Sequence, residues 1–246
     1  MNLSALPWRI ICDGFHNASR NMAFDEVLFR RALHGHQQQP VLRLYGFHPQ
    51  AVTVGACQKM KQTHPLIDYS HASSNVTRRI TGGGVVFHDN NLTYSIVAHK
   101  KAHKTFLSLK ESYRIIHSVI QEALHTKGLA TDFFDSNESI FMGTRDCFTT
   151  PVKNDLMIEG KKIAGGAQKR SHDFLLHQGS ISLEPLLPKD ENYYAVFENM
   201  CEIFIQSFYS VLGVTGQRHS FTQEEIEEAS VLEHEKYIRE EWILKN

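Results

Sequence analysis

Between residues 41 and 183 the chain is cut into short apolar runs closed by Gly, Asn, Asp or Ser. They include Val41-Leu42-Arg43-Leu44-Tyr45, Ala51-Val52-Thr53-Val54, Val85 to His88, Leu92 to Ala98 and Phe174 to Leu183. Runs of this length bounded by turn residues predict strands. Trp8 to Cys12, Arg78 to Thr81, Asp132 to Phe134, Leu156 to Ile158 and Lys162 to Ala164 read the same way. Strands joined by turns, such as Asp89-Asn90-Asn91, Glu159-Gly160-Lys161 and Ser171-His172-Asp173, pair mostly antiparallel.

Helical periodicity is confined to a few places. Asn17 to Leu33 predicts a helix capped by Asn17 or Ser19, with Met22, Glu26, Phe29 and Leu33 on one mostly apolar face. Phe106, Leu109, Tyr113, Ile116, Ile120 and Leu124 step by three and four residues, and Gly128 ends that helix. Two more helices are predicted near 190–212 and 222–242, a polar connection with a short helix over 58–76, and a long aperiodic loop over 135–154. No repeat or low-complexity linker divides the chain. The expectation is therefore one α+β catalytic domain over 1–246, its core at about 8–212 and a C-terminal helical segment at 213–246, with no accessory C-terminal domain.

Composition narrows the function. Lys+Arg 26 against Asp+Glu 27 gives a net charge of −1, which argues against a nucleic-acid binder. No run approaches the roughly 18 apolar residues of a membrane span, so no membrane partner is expected. A chain of 246 residues buries a core without disulfides or metal. Cys12, Cys57, Cys147 and Cys201 form no Cys-x-x-Cys pair, and isolated thiols suit a reducing, cytoplasmic setting. His99 and His103 stand i,i+4 among Lys100, Lys101 and Lys104, which reads as a solvated basic segment and not as a cation site.

Three constellations carry chemistry. Gly82-Gly83-Gly84, between Arg78-Arg79 and His88-Asp89, removes every side chain from a turn and lets backbone N–H groups approach a ligand. The bland alternative is a flexible hairpin turn. Lys162 runs into Ile163-Ala164-Gly165-Gly166-Ala167-Gln168, setting an ammonium beside open backbone suited to a carboxylate, phosphate or oxyanion; the alternative is a solvated hairpin lysine. Cys147 lies in the aperiodic loop outside any apolar stripe, as a nucleophilic thiol would, or as an inert buried one. Cys12, Cys57 and Cys201 fall within apolar patterns and are expected to be buried and inert.

Arg78 to Asp89, followed by Leu92-Thr93-Tyr94-Ser95, resembles the signature of the lipoate–protein ligase A family. Lys162 to Gln168 and His177-Gln178-Gly179-Ser180 are similar to two further signatures, and Asn21 to Glu26 to the family's first helix. The motifs occur in order along nearly the whole chain. The resemblance implies the biotin and lipoate protein ligase catalytic fold, a largely antiparallel sheet flanked by helices. It also implies transfer of an octanoyl or lipoyl group to a lysine of a lipoyl carrier domain, of the dehydrogenase E2 or glycine cleavage H protein type.

The fold carries two chemistries. Cys147-Phe148 with Pro151, fifteen residues before Lys162, resembles the catalytic loop of the cysteine-dependent octanoyltransferases, and Lys236-Tyr237 with Glu241-Trp242 resembles their C-terminus. On that branch Cys147 takes the acyl group from octanoyl acyl carrier protein as a thioester, Lys162 supports the thiolate and the carbonyl oxygen, and no cofactor is required. Gly84, where those enzymes usually carry arginine, and Asn154-Asp155 resemble the ligases, which use ATP and Mg²⁺ to form an acyl-adenylate. On that alternative Lys162 binds the acyl carboxylate and α-phosphate, and Asp155 assists Mg²⁺. The third alternative is a non-catalytic subunit of a two-part ligase. The resemblance places Arg79, Gly82, Gly83, Gly84, His88, Asp155, Gly165, Gly166, Ala167, His177 and Gly179 at the acyl or adenylate site. Val85, Phe87 and Tyr94 are candidates for an acyl tunnel by their position near the glycine turn. The cysteine loop favours the transferase, because a ligase has no use for a nucleophilic thiol there.

Overall fold

The computed structural model describes residues 6–59, 76–135, 151–187 and 192–245. The short helix expected within 58–76, most of the 135–154 loop and Cys147 itself lie outside the described residues.

The chain runs β1 (Trp8–His16), α1 (Ala18–Leu33), β2 (Val41–Phe47), β3 (Ala51–Val54), β4 (Val76–Arg78), β5 (Val85–His88) and β6 (Asn91–His99), then α2 (Leu109–Thr126). There follow β7 (Asp132–Phe133), β8 (Leu156–Ile158), β9 (Lys161–Ser171), β10 (Phe174–Ser182), α3 (Tyr193–Leu212), β11 (Gly216–Arg218), α4 (Gln223–Leu232) and α5 (Glu240–Ile243). The main sheet has the order β11-β1-β2-β6-β10-β9-β8-β7, and a small second sheet has the order β4-β3-β5. Among the described residues, only β1 pairs in parallel within the main sheet, with β2 and β11. The remainder of the main sheet is antiparallel, as the turn-linked strands predict. One core lies between this sheet and α2 and α3; a second lies under α1, α4 and the chain end.

Local chemistry explains the boundaries. Asn17, rather than Ser19, caps α1 by accepting the Arg20 N–H. Ser108 caps α2, so Phe106 belongs to a preceding 3₁₀ turn and not to the helix. Glu159 and Gly160 both take positive φ, the requirement of a two-residue hairpin, and join β8 to β9. His99 and His103 cap short 3₁₀ turns by accepting the backbone N–H groups of Lys101 and Thr105, so they share no helix face.

Two readings change. Arg78–Thr81 and Val85–His88 do not form a hairpin about the glycines. The first strand ends at Arg78, and β3 lies between β4 and β5, parallel to one and antiparallel to the other. The glycine turn therefore crosses the end of β3. The helix expected over 222–242 is broken. α4 widens into a π-turn at Glu233–Tyr237 before α5, and β11, ahead of it in the expected C-terminal helical segment, joins the main sheet. The break lets Lys236 (2.6 Å) and Tyr237 reach Glu26 on α1.

Candidate active site

The resemblance motifs converge on one pocket. Its walls come from Met22 of α1, Tyr45 of β2, Thr53 of β3, Arg79 and Gly83 of the glycine turn, Val86 and His88 of β5, and facing residues of β9 and β10. It holds about 530 Å³ of space not filled by protein atoms, open mouth included, and its lining is mostly apolar. Lys162, Gly165, Gly166, Ala167 and Gly179 all line it. Past Gly83, Gly166 and Ala167 it opens into a shallow groove with Leu109, Lys110, Tyr113, Val152 and Lys153.

At the pocket wall Lys162 Nζ lies 2.7 Å from Asp155 Oδ2, with side chains only 6% and 2% exposed. Asp155 Oδ2 also accepts the Val152 N–H at 2.7 Å. Asp155 is thus the fixed counter-ion that aims the lysine. Burial excludes the solvated-lysine alternative.

The glycines of β9 and β10 make room for side chains. A Cβ on Gly165 would stand 2.5 Å from Lys162 Cε and 2.7 Å from its Nζ. One on Gly166 would stand 2.4 Å from His177 Nε2, and one on Gly179 would stand 2.2 Å from the Tyr94 hydroxyl. Such approaches must be relieved by movement. Gly165→Ala is therefore expected to push the flexible Lys162 end aside, cutting transfer by about 10²-fold, since a displacement of about 1 Å at a reacting centre costs that much. Stability should fall as well, because the shift loosens the buried Lys162–Asp155 pair, and paired activity and denaturant-midpoint measurements check both.

The glycine turn is held by its carbonyls. Arg79 donates to Gly82 O and Gly84 O, both at 2.8 Å, and Gln58 Nε2 donates to Gly83 O at 3.1 Å. Arg79 also donates to Thr53 O and Oγ1, so its first role is to position the turn, although it lines the pocket. Gly55 lets the turn cross β3, because a Cβ there would stand 2.0 Å from Gly83 O. Arg78, fully buried, binds the carbonyls of Gly55 (2.9 Å) and Lys245 (2.8 Å), tying the chain end to the turn.

Three histidines around the pocket are buried and neutral. His88 stacks on Phe47 and bonds Thr53 Oγ1 at 2.8 Å; burial, with Arg79 nearby, brings its pKa down to about 3. Burial also lowers His117, and lowers His177 further, with His117 and Arg170 adding to the latter. Arg170 donates to Gln168 Oε1, so the Gln168 amide donates to His177 Nδ1, and His177 Nε2 carries the proton toward Tyr94. His177 thus stands behind Gly166 and supports the wall. Folded pKa values below the unfolded value of about 6.5 mean that the unfolded chain binds more protons as pH falls. Stability present above about pH 6.5 should then decline toward acid, each histidine contributing up to about 1.4 kcal/mol per pH unit. Urea midpoints from pH 7.5 to 5 check this; His88→Phe should flatten the slope by one proton.

Sequence reasoning missed several residues. Val85 packs into a separate cluster with Val54 and Ile243, with Phe87 against it, and Tyr94 lies beneath Gly179. The pocket is lined instead by Val86, Met22 and Tyr45. Asp25, fully buried, accepts from Arg43 (2.8 Å), Tyr45 (2.8 Å), Ser95 (2.7 Å) and Gln178 (2.6 Å), linking α1 to three strands at the pocket floor. The signal was present: Asp25 and Glu26 are acids in an otherwise core-facing helix. Cys12 and Cys57 are exposed, contrary to their apolar contexts, and Cys201 alone among the described cysteines is buried.

Residues 17–225 match the family model described as the lipoyl protein ligase A/B catalytic domain. Octanoyltransferase LipM of Clostridioides difficile is 35% identical over 179 residues, covering 72% of this chain and 66% of that protein, just under two thirds. Octanoyltransferase LipM of Bacillus subtilis is 28% identical over 276 residues, covering 97% of this chain and 98% of that protein. Among solved structures, a lipoate-protein ligase A bound with ATP superposes with a TM-score of 0.76 at 22% identity, over 97% of this chain and 99% of that one. Protein Ta0514 of T. acidophilum, solved with bound lipoic acid, gives a TM-score of 0.77 at 22% identity, over 98% of this chain and 100% of that one. These two structures establish the shared fold. The family match extends from the cap of α1 through every strand that builds the pocket, and the chain belongs to the lipoyl protein ligase A/B catalytic domain family.

Proposed function

We propose that this chain is an octanoyltransferase of protein lipoylation. It takes an octanoyl group from acyl carrier protein onto Cys147 and passes it to a lysine of a lipoyl carrier domain, of the E2 or glycine cleavage H protein type. The observation that carries this reading is the buried Lys162–Asp155 pair set in the wall of a mostly apolar pocket. Such a pocket accepts an alkyl chain and offers one fixed positive charge to a carbonyl oxygen. The curated relatives described above are octanoyltransferases, which favours this over the ATP-dependent alternative.

In the first half-reaction the Cys147 sulfur attacks the thioester carbonyl carbon. The new C–S bond replaces the carrier's, and the carrier thiol leaves with the proton Cys147 gave up. Lys162 stabilises the oxyanion, and a donor of this kind is worth about 3–4 kcal/mol. In the second half-reaction the amine of the acceptor lysine attacks the acyl-enzyme. An amide forms and Cys147 recovers its proton from the amine. Amide formation from a thioester is downhill, so the reaction needs no ATP. The groove beyond the pocket, with exposed Leu109 and Val152 beside Lys110 and Lys153, suits the approach of both carriers. No described helix is long and apolar enough to cross a membrane, in keeping with a cytoplasmic reaction.

The test is amide formation on an apo lipoyl domain, followed by mass, with octanoyl acyl carrier protein as donor. The proposal expects turnover without nucleotide. Turnover only from free octanoate plus ATP and Mg²⁺ would establish the ligase instead, and none with either donor would leave the non-catalytic subunit.

A further inference from the structure

Behind the Lys162–Asp155 pair stands a histidine to which the mechanism gives no part. Asp155 closes the turn at 152–155 that leads into β8, and Lys162 faces it from β9 of the same hairpin. The turn passes through Asn154 at φ 74°, a left-handed conformation that residues other than glycine rarely take. The Asn154–Asp155 peptide unit is planar, and both of its polar ends are held. Its N–H, on Asp155, donates to Val152 O at 2.9 Å. Its carbonyl, on Asn154, accepts from His117 Nδ1 of α2 at 2.5 Å.

A carbonyl only accepts, so His117 Nδ1 carries the proton. Burial keeps the ring neutral, which leaves Nε2 bare, and among the described residues Nε2 has no hydrogen-bond partner. A buried polar atom left without a partner costs at least what an ordinary hydrogen bond returns. Packing alone would thus favour an aliphatic side chain at this place on α2. What the histidine adds is a fixed peptide plane. The links then run in series. His117 sets the Asn154–Asp155 peptide, the peptide sets the Asp155 carboxylate, and the carboxylate sets Lys162 Nζ at 2.7 Å.

We propose that His117 is a positioning residue for the transfer reaction: through the Asn154 carbonyl it holds Asp155, and so aims Lys162 at the acyl carbonyl oxygen. It acts only through that chain of contacts. The identity of the reaction rests on the transferase reading above, whereas the coupling of His117 to the ion pair does not. Without the Nδ1–H bond the peptide plane is free to turn, and the ammonium follows the carboxylate. A displacement of about 1 Å at a reacting centre costs about 10²-fold in rate.

The experiment replaces His117 with Leu, Gln and Asn in the whole chain and measures octanoyl transfer over a range of donor concentrations. An Asn amide places an N–H where Nδ1 stands, whereas a Gln amide lies one bond farther out. In His117→Leu and His117→Gln kcat should fall by about 10²-fold with KM within about twofold. His117→Asn should recover kcat to within about fivefold of wild type. A loss confined to KM, or an Asn variant as slow as the Leu variant, would overturn the proposal. Denaturant midpoints give a second readout that needs no substrate. Lys162→Met should lower the midpoint less in His117→Leu than in the wild-type background, because the turn that fixes Asp155 is already released. Equal lowering in both backgrounds would overturn the proposal as well. His117→Gln takes the place of the Leu variant if that chain does not fold. A wild-type chain that transfers nothing from octanoyl acyl carrier protein fails the transferase reading, and the midpoint cycle then decides the role of His117 by itself.

Discussion

Cys147→Ala is expected to lose octanoyl transfer by at least about 10⁴-fold, because no other group in the proposed mechanism carries the acyl chain between the two carriers. The loss should appear in both half-reactions: no release of carrier thiol, and no amide from a preformed thioester donor. Folding should be unaffected, since the substitution removes a single sulfur. Thiol release and amide yield under single-turnover conditions check this. Equal transfer by the variant would move the acyl group onto another route, and nucleotide dependence in both proteins would identify that route as an adenylate.

Lys162→Ala should fail twice. The substitution leaves Asp155, 2% exposed, without the ammonium 2.7 Å away. Breaking a buried pair from one side costs about 3–5 kcal/mol. Transfer should fall to background at the same time. Lys162→Met combined with Asp155→Leu removes both charges and keeps the volume, so it should recover most of the stability and none of the activity. Lys162→Arg keeps a charge but needs more room than the gap over Gly165 provides, and should rescue poorly. Denaturant midpoints alongside octanoyl transfer separate the two effects. In the transferase mechanism Lys162→Ala should also raise the pH at which Cys147 alkylates, measured with Cys12, Cys57 and Cys201 replaced. An undiminished midpoint in Lys162→Ala would mean that the lysine is not held by Asp155.

The strands and α2 were legible because their signals are local: alternation, turn residues and Gly128 just past the end of α2 lie within a few residues of what they determine. The end of the 222–242 helix was not, because the π-turn there is set by Glu26, about 210 residues earlier in the chain. The glycine turn misled for a related reason. Gly82-Gly83-Gly84 between two strand-like runs looks like a hairpin, and only β3, inserted between those strands, makes it a crossing. At the site, residue types were readable but directions were not. The run Lys162 to Gly166 announced an ammonium beside open backbone. That Gly165 clears space for Lys162, Gly166 for His177 and Gly179 for Tyr94 depends on which face each side chain takes. The same parity error set Val85 and Phe87 toward the pocket when Val86 lines it. Asp25 was the largest omission. Its partners lie on β2, β6 and β10, which no spacing along α1 reveals.

The covalent intermediate is the central claim, and intact mass reads it directly. The wild-type chain, mixed with octanoyl acyl carrier protein and no ATP, is predicted to gain one octanoyl group. Hydroxylamine should remove it, peptide mapping should place it on Cys147, and adding an apo lipoyl domain should discharge it. A chain that stays at its starting mass while the lipoyl domain still gains the octanoyl group would contradict the account.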